Sequence, residues 1–140
     1  MTPDSRAFLL AEYAALRGEV LGALEDVAGN EKLALLASAG CWGALAVAPQ
    51  GGTGVALLRW LPLALTALMF FRWRGLENKF TTCGAYLARL ERSFELDGLG
   101  WEQHIQAQAR RWFRFHGWLF WILLALANLA ASLWWQGRVA

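Results

Sequence analysis

Charge is scarce in this chain: Asp, Glu, Lys and Arg make up 17% of its residues, and the net charge is only +2. The basic residues are scattered among apolar ones, so no cationic face gathers to track phosphates, which argues against nucleic acid as a partner. Cysteine occurs twice, Cys41 in an apolar run and Cys83 in a basic segment; placed on different levels, the two cannot meet, and no disulfide framework is implied. Histidine also occurs twice, and neither His104 nor His116 has a second His or Cys at a ligand spacing, so no metal site is expected. Ser and Thr are few, and no nucleophile, base and orienting group can be assembled from them. No Gly-rich phosphate loop follows a strand, because no strand pattern occurs. Catalysis and a bound cofactor are therefore not expected. A cleaved leader is not expected either: Asp4, Glu12, Glu19, Glu25 and Asp26 occupy the first thirty residues, where a cleaved signal would carry a basic segment and then an apolar one. Met1 is expected to stay inside.

What is abundant is apolar. The 140 residues suffice for one domain, and 57% of them are hydrophobic, with a mean hydropathy of +0.32 and nine Trp. That is too apolar for an ordinary soluble domain. Indole rings also favour the bilayer boundary, where one edge is wet and the other apolar.

Three apolar runs stand out, at 33–48, 55–71 and 117–136, the first two near the lower limit of about 17 residues for a span. The connector at 49–54 is uncharged, whereas 72–116 carries Arg72, Arg74, Lys79, Arg89, Arg92, Arg110, Arg111 and Arg114. This is the positive-inside pattern. Adding Arg6, Arg17 and Lys32, eleven of the thirteen basic residues fall on one side. The placement predicts a multi-pass protein of the bacterial inner membrane, with its N-terminus cytoplasmic and its C-terminus external. Residues 4–32 would form a cytoplasmic amphipathic helix, and 72–116 cytoplasmic helices with a turn at 96–100.

The segments next to the first two runs repeat every seven residues. Leu9, Tyr13, Leu16, Val20, Ala23 and Val27 step alternately by four and three, and Leu76, Phe80, Cys83, Leu87, Leu90 and Phe94 do the same. Such heptads predict a seam between two helices. In an antiparallel hairpin, facing residues have position numbers of constant sum, and these seams pair at 103, the value about which the 49–54 turn is also centred. On one flank this register brings Asp26 near Lys79 and Glu19 near Tyr86. Residues 1–32 carry net −3 and 72–116 net +3, so attraction agrees. Gly29 with Asn30 is a place where the first helix could break, and Pro62 should kink the second. The expected fold is all-α with three transmembrane helices. The first two make a long antiparallel hairpin extended into a cytoplasmic coiled coil, and the third packs alongside.

Few residues qualify as sites. Asn128, midway along the third run, needs a partner in lipid, and structural glue across helices is the leading role; its face could also close a homo-oligomer. The first run has a small strip at Ala39, Gly40, Gly43 and Ala44, whose simplest explanation is close packing within the chain. Arg17 lies on a flank of the first seam, opposite Gly84, with Glu91, Glu102 or lipid headgroups as ordinary partners.

The stretches AEYAALRGEV (11–20), CGAYLARLER (83–92) and LGWEQHI (99–105) resemble an uncharacterised family of small bacterial inner-membrane proteins with EYxxLRxE, GxYxxxxE and GWE motifs. Glu12, Tyr13, Arg17, Glu19, Gly84, Tyr86, Glu91, Gly100, Trp101 and Glu102 hold those positions. No activity comes with the resemblance. The layout is also similar to SLATT-type membrane effectors of bacterial defence. The expected role is a non-catalytic membrane module that self-associates or docks a cytoplasmic protein partner, with the lipid bilayer as its constant partner. The alternatives are a membrane-perturbing, pore-forming effector and a small transporter or channel component, for which only Asn128, Thr66 and Ser38 could supply a polar path.

Overall fold

The computed structural model describes the backbone of residues 3–48, 53–94 and 101–139 and the side chains of 4–48, 54–92, 94 and 115–136. Among these residues every regular element is a helix: α1 (Pro3–Val47), α2 (Thr53–Leu58), α3 (Leu61–Ser93) and α4 (Trp101–Val139). Residues 49–52 and 95–100, where the turns were expected, lie outside the described residues.

Helix α1 opens on Pro3, whose fixed φ suits a first helical position, with Asp4 in its first turn against the positive end of the helix dipole. It then runs unbroken for 45 residues, about 67 Å at 1.5 Å per residue. The sequence left open whether the helix breaks at Gly29 and Asn30, and it is continuous there. A helical glycine costs only about 1 kcal/mol against alanine. Asn30 is buried and anchors the helix there, donating from Nδ2 to the Met69 carbonyl at 3.0 Å.

The kink expected at Pro62 is present, and it is a break. Pro62 lacks an N–H, and its ring collides with the carbonyl four residues earlier. The chain tightens accordingly between α2 and α3, where Trp60 N–H reaches only back to the Leu57 carbonyl (3.1 Å) before Ala64 N–H resumes the helical bond to Trp60 (3.0 Å).

The chain forms two compact units, residues 1–28 with 74–115 and residues 29–73 with 116–140. In unit 1, α1 buries Val20, Ala23 and Val27 and half-buries Leu9, Tyr13 and Leu16. Helix α3 buries Leu87 and Leu90, half-buries Leu76, Phe80 and Cys83, and adds a second buried row of Glu77, Gly84, Ala88 and Glu91, with Phe94 half-buried just past its end. A helix that buries two adjacent rows has neighbours on both, which heptad spacing alone does not predict.

In unit 2, α1 buries Asn30, Ala34, Ser38 and Leu45; α3 buries Pro62, Thr66 and Trp73; α4 buries Trp121, Asn128 and Ser132. Trp73, 1% exposed, stacks on Phe70 and meets Trp118 and Trp121 at centroid distances of 6.1 and 6.3 Å. Its ring lies flush on Gly117, where a Cβ would overlap it.

The outer faces of unit 2 are apolar: Leu36, Val47, Leu57, Leu68, Phe71, Leu126 and Leu133 are all exposed. Among the described residues two helical stretches are long and apolar enough to cross a membrane, Gly54–Arg92 and Phe115–Gln136, and only 11% and 22% of their most apolar parts are buried. The core helix of a soluble bundle would be mostly buried. The run at 33–48 is not among them, because it is shorter than 18 residues, with Asn30, Glu31 and Lys32 before it and the end of α1 at Val47 after it.

Candidate functional site

Unit 1 brings together residues from both ends of the expected hairpin. Tyr13 donates its hydroxyl to Glu91 Oε1, and Tyr86 donates its own to Glu12 Oε1, each at 3.1 Å. Each helix thus gives the other one phenol and one carboxylate. The Tyr13 pair is the drier one, since Glu91 is only 2% exposed while Tyr86 is 41% exposed. Burial first, and the bond to Glu91 second, raise the Tyr13 pKa; the charge and hydrogen bond of Arg17 oppose them. Arg17, Tyr13 and Glu91 therefore form one cluster. The Tyr86 pKa is raised as well, chiefly by its hydrogen bond to Glu12.

Glu19 joins Lys79 at 3.3 Å on an exposed flank. The expected partners were Asp26 for Lys79 and Glu19 for Tyr86. Both observed flank pairs, Glu12 with Tyr86 and Glu19 with Lys79, have position numbers that add to 98, where those expected add to 105. Tyr13 with Glu91 adds to 104, one from the 103 expected of the seam, so the flank contacts differ from those expected without a common shift of the two helices. Buried Glu77 is bound by Arg74 one turn before it.

Unit 2 has a polar centre on Asn128, 3% exposed. Its two amide protons go to Ser38 Oγ (3.1 Å) on α1 and Thr66 Oγ1 (2.9 Å) on α3, and its Oδ1 accepts from Trp42 Nε1 (2.8 Å). Thr66 in turn donates to the Pro62 carbonyl at 2.8 Å, as threonines in helices commonly do four residues back. One turn along α4, Ser132 Oγ lies 2.8 Å from the Asn128 carbonyl and 3.0 Å from the Arg59 carbonyl at the helix break. A hydroxyl has one proton, so it serves one of them at a time. Asn128 and Ser132 therefore point inward, and their face is not free to close a homo-oligomer.

The small strip of α1 behaves oppositely. Ala39, Gly40, Gly43 and Ala44 are exposed, and nothing approaches within 4 Å of a Cβ built on Gly40 or Gly43. Close packing within the chain does not explain it. Cys41 and Cys83 are both free thiols. Trp101 and Glu102 lie on α4 outside the described side chains. Among the described residues no three His, Cys, Asp or Glu side chains converge.

Sequence reasoning picked out Arg17, Glu19, Tyr86, Glu91 and Asn128 but missed the Tyr13–Glu91 bond and Trp42 as a partner of Asn128. An indole at the level of a buried amide was the available signal. Set against protein families, curated proteins and solved structures, the chain matches none.

Proposed function

We propose that the chain is a non-catalytic inner-membrane module with three spans, its N-terminus cytoplasmic and its C-terminus external, that self-associates through the small-residue face of α1 within the bilayer. The 33–48 stretch is the third span in this reading, apolar but short, and it carries the small residues that let another helix approach. The observation that carries it is the open strip: Gly40 with Ala44, and Ala39 with Gly43, are small pairs four apart with nothing packed against them. In lipid, such faces let helix backbones come close and associate through van der Waals contact. The apolar surface of unit 2 and the low burial of its two most apolar helices support residence in a bilayer.

The Tyr–Glu pairs of unit 1 support a stalk held for docking a cytoplasmic protein, since the residues of the family-like motifs bond to one another. A transport path finds less support, because Ser38, Thr66 and Asn128 close on each other and offer no polar route. Cross-linking in cells, followed by native mass spectrometry in mild detergent, tests the proposal. Wild type should give an oligomer that Gly43→Leu reduces to a monomer; a wild type that is monomeric throughout overturns it. Depolarisation of the inner membrane on overexpression would add the pore-forming effector role to the oligomer.

A further inference from the structure

Arg59 is the one charged residue within the three apolar runs, and it stands at the break between α2 and α3. Its backbone is held on both sides. The N–H bonds to the Val55 carbonyl at 3.3 Å, and the carbonyl lies 3.0 Å from Ser132 Oγ on α4. The guanidinium sits over the neighbouring Trp60 ring, 5.7 Å from its centroid. The side chain is half-buried: Nε is covered and bonds to nothing, whereas Nη1 and Nη2 are not covered. A guanidinium cannot shed its proton in a protein, so this charge is permanent.

A counter-ion is missing. Unit 2 contains a single acidic residue, Glu31. It follows Asn30, which is bonded to Met69, and Met69 stands ten residues along the chain from Arg59, about 15 Å of helix. Among the described residues no hydrogen bond or ion pair reaches the guanidinium. A permanent charge left so in apolar surroundings is costly and calls for an anion.

The level of Arg59 selects one. Ser132 lies sixteen residues past His116, where the charged sequence gives way, about 24 Å along α4, and a hydrocarbon core is about 30 Å thick. The Arg59 backbone is therefore about one helical turn inside the far boundary, within reach of that boundary for so long a side chain. There the abundant anion is the phosphate of a glycerophospholipid, two of whose oxygens suit the Nη1 and Nη2 fork. Leu57, Leu58 and Leu133, next in sequence to Arg59 and Ser132, are exposed and favour a phosphate that arrives with acyl chains over one from water.

We propose that Arg59, held against Trp60 at the helix break, is a phosphate-binding site filled by the headgroup of a glycerophospholipid, at the end of unit 2 away from Arg72 and His116. The proposal rests on α3 and α4 being membrane spans.

The full chain, extracted in detergent and stripped of lipid, is offered dioleoyl phosphatidylglycerol or dioleoylglycerol, which has the same chains and no phosphate, and the first bound lipid is titrated by native mass spectrometry. Wild type should prefer phosphatidylglycerol about ten- to a hundredfold, the worth of a hydrogen bond to a charged group. Arg59→Gln, which keeps N–H donors and removes the charge, should lose most of that preference. Arg72→Gln, which removes an exposed cation at the other end, should keep it. Equal affinity of wild type for both lipids, full preference in a folded Arg59→Gln, or an equal loss in Arg72→Gln overturns the proposal, and so does displacement of the lipid by an equal concentration of inorganic phosphate, which would make soluble phosphate the ligand. The wild-type ratio carries the test if Arg59→Gln does not fold. A chain found in the soluble fraction of broken cells would instead overturn the membrane reading, whereas a membrane-extracted chain without preference between the two lipids defeats this site alone.

Discussion

Unit 1 joins its helices by separate pairs, Tyr13 with Glu91, Tyr86 with Glu12 and Lys79 with Glu19, whereas unit 2 gathers three helices on the single amide of Asn128. Three of the six partners in unit 1, Glu19, Lys79 and Tyr86, are exposed, so water can substitute for whatever a pair fails to supply. In apolar surroundings nothing substitutes, and a polar group without a protein partner carries the full cost of its burial. Hence one region holds through separate and partly wet pairs, while the other fixes one arrangement of small and polar residues.

The sharpest break of this comparison is steric. Gly117→Val drives a branched side chain into the buried Trp73 ring, and overpacking of that kind should lower stability by about 3 kcal/mol, measured by SDS titration in mild detergent with helicity as the signal. Gly43→Leu, at an open position, should leave the same transition unchanged while abolishing association. Next comes Asn128→Leu. It strands the Trp42 N–H and removes two donors from Ser38 and Thr66, and should lower stability by about 2 kcal/mol. A loss no larger than that of an exposed Leu129→Ala would mean that Asn128 does not hold the helices together.

Tyr13→Phe should have a smaller effect, about 1 kcal/mol, because it leaves the buried Glu91 without this donor. The pH dependence has a definite sign. The folded-state pKa of Tyr13 is raised above its unfolded value, so the contribution is complete below about pH 10 and is lost as pH rises through the folded value. Phenolate absorbance should therefore titrate with a higher midpoint for Tyr13 in wild type than in Glu91→Leu, and coincident midpoints would remove Glu91 as a cause. The least effect belongs to Lys79→Gln. Both side chains of that pair are more than half exposed, and the change should stay within about 0.5 kcal/mol and shrink further with salt.

Much of the helical layout was legible before any coordinates. The heptad residues Val20, Ala23, Val27, Leu87 and Leu90 are buried, and Pro62 ends a helix, because periodicity and the missing N–H are local properties of the chain. Three things were not legible. The continuity of α1 through Gly29 depends on a tertiary bond from Asn30 to Met69. The second buried row of α3, with Glu77 and Glu91, breaks the rule that carboxylates face water and needs specific partners, Arg74 and Tyr13. The flank contacts turned on how far Tyr, Glu and Lys side chains reach across the seam, and a constant sum of position numbers places backbones, not the ends of side chains.

The sequence by itself determined that the chain is helical, that its charges segregate from its apolar runs, and that Asn128 requires partners, since composition and periodicity act residue by residue. Only the tertiary structure decided which partners those are, and that Gly117 must stay small while nothing meets a Cβ at Gly40 or Gly43. Each of these depends on atoms far apart in the chain meeting or failing to meet, and spacing along one helix carries no record of what stands opposite.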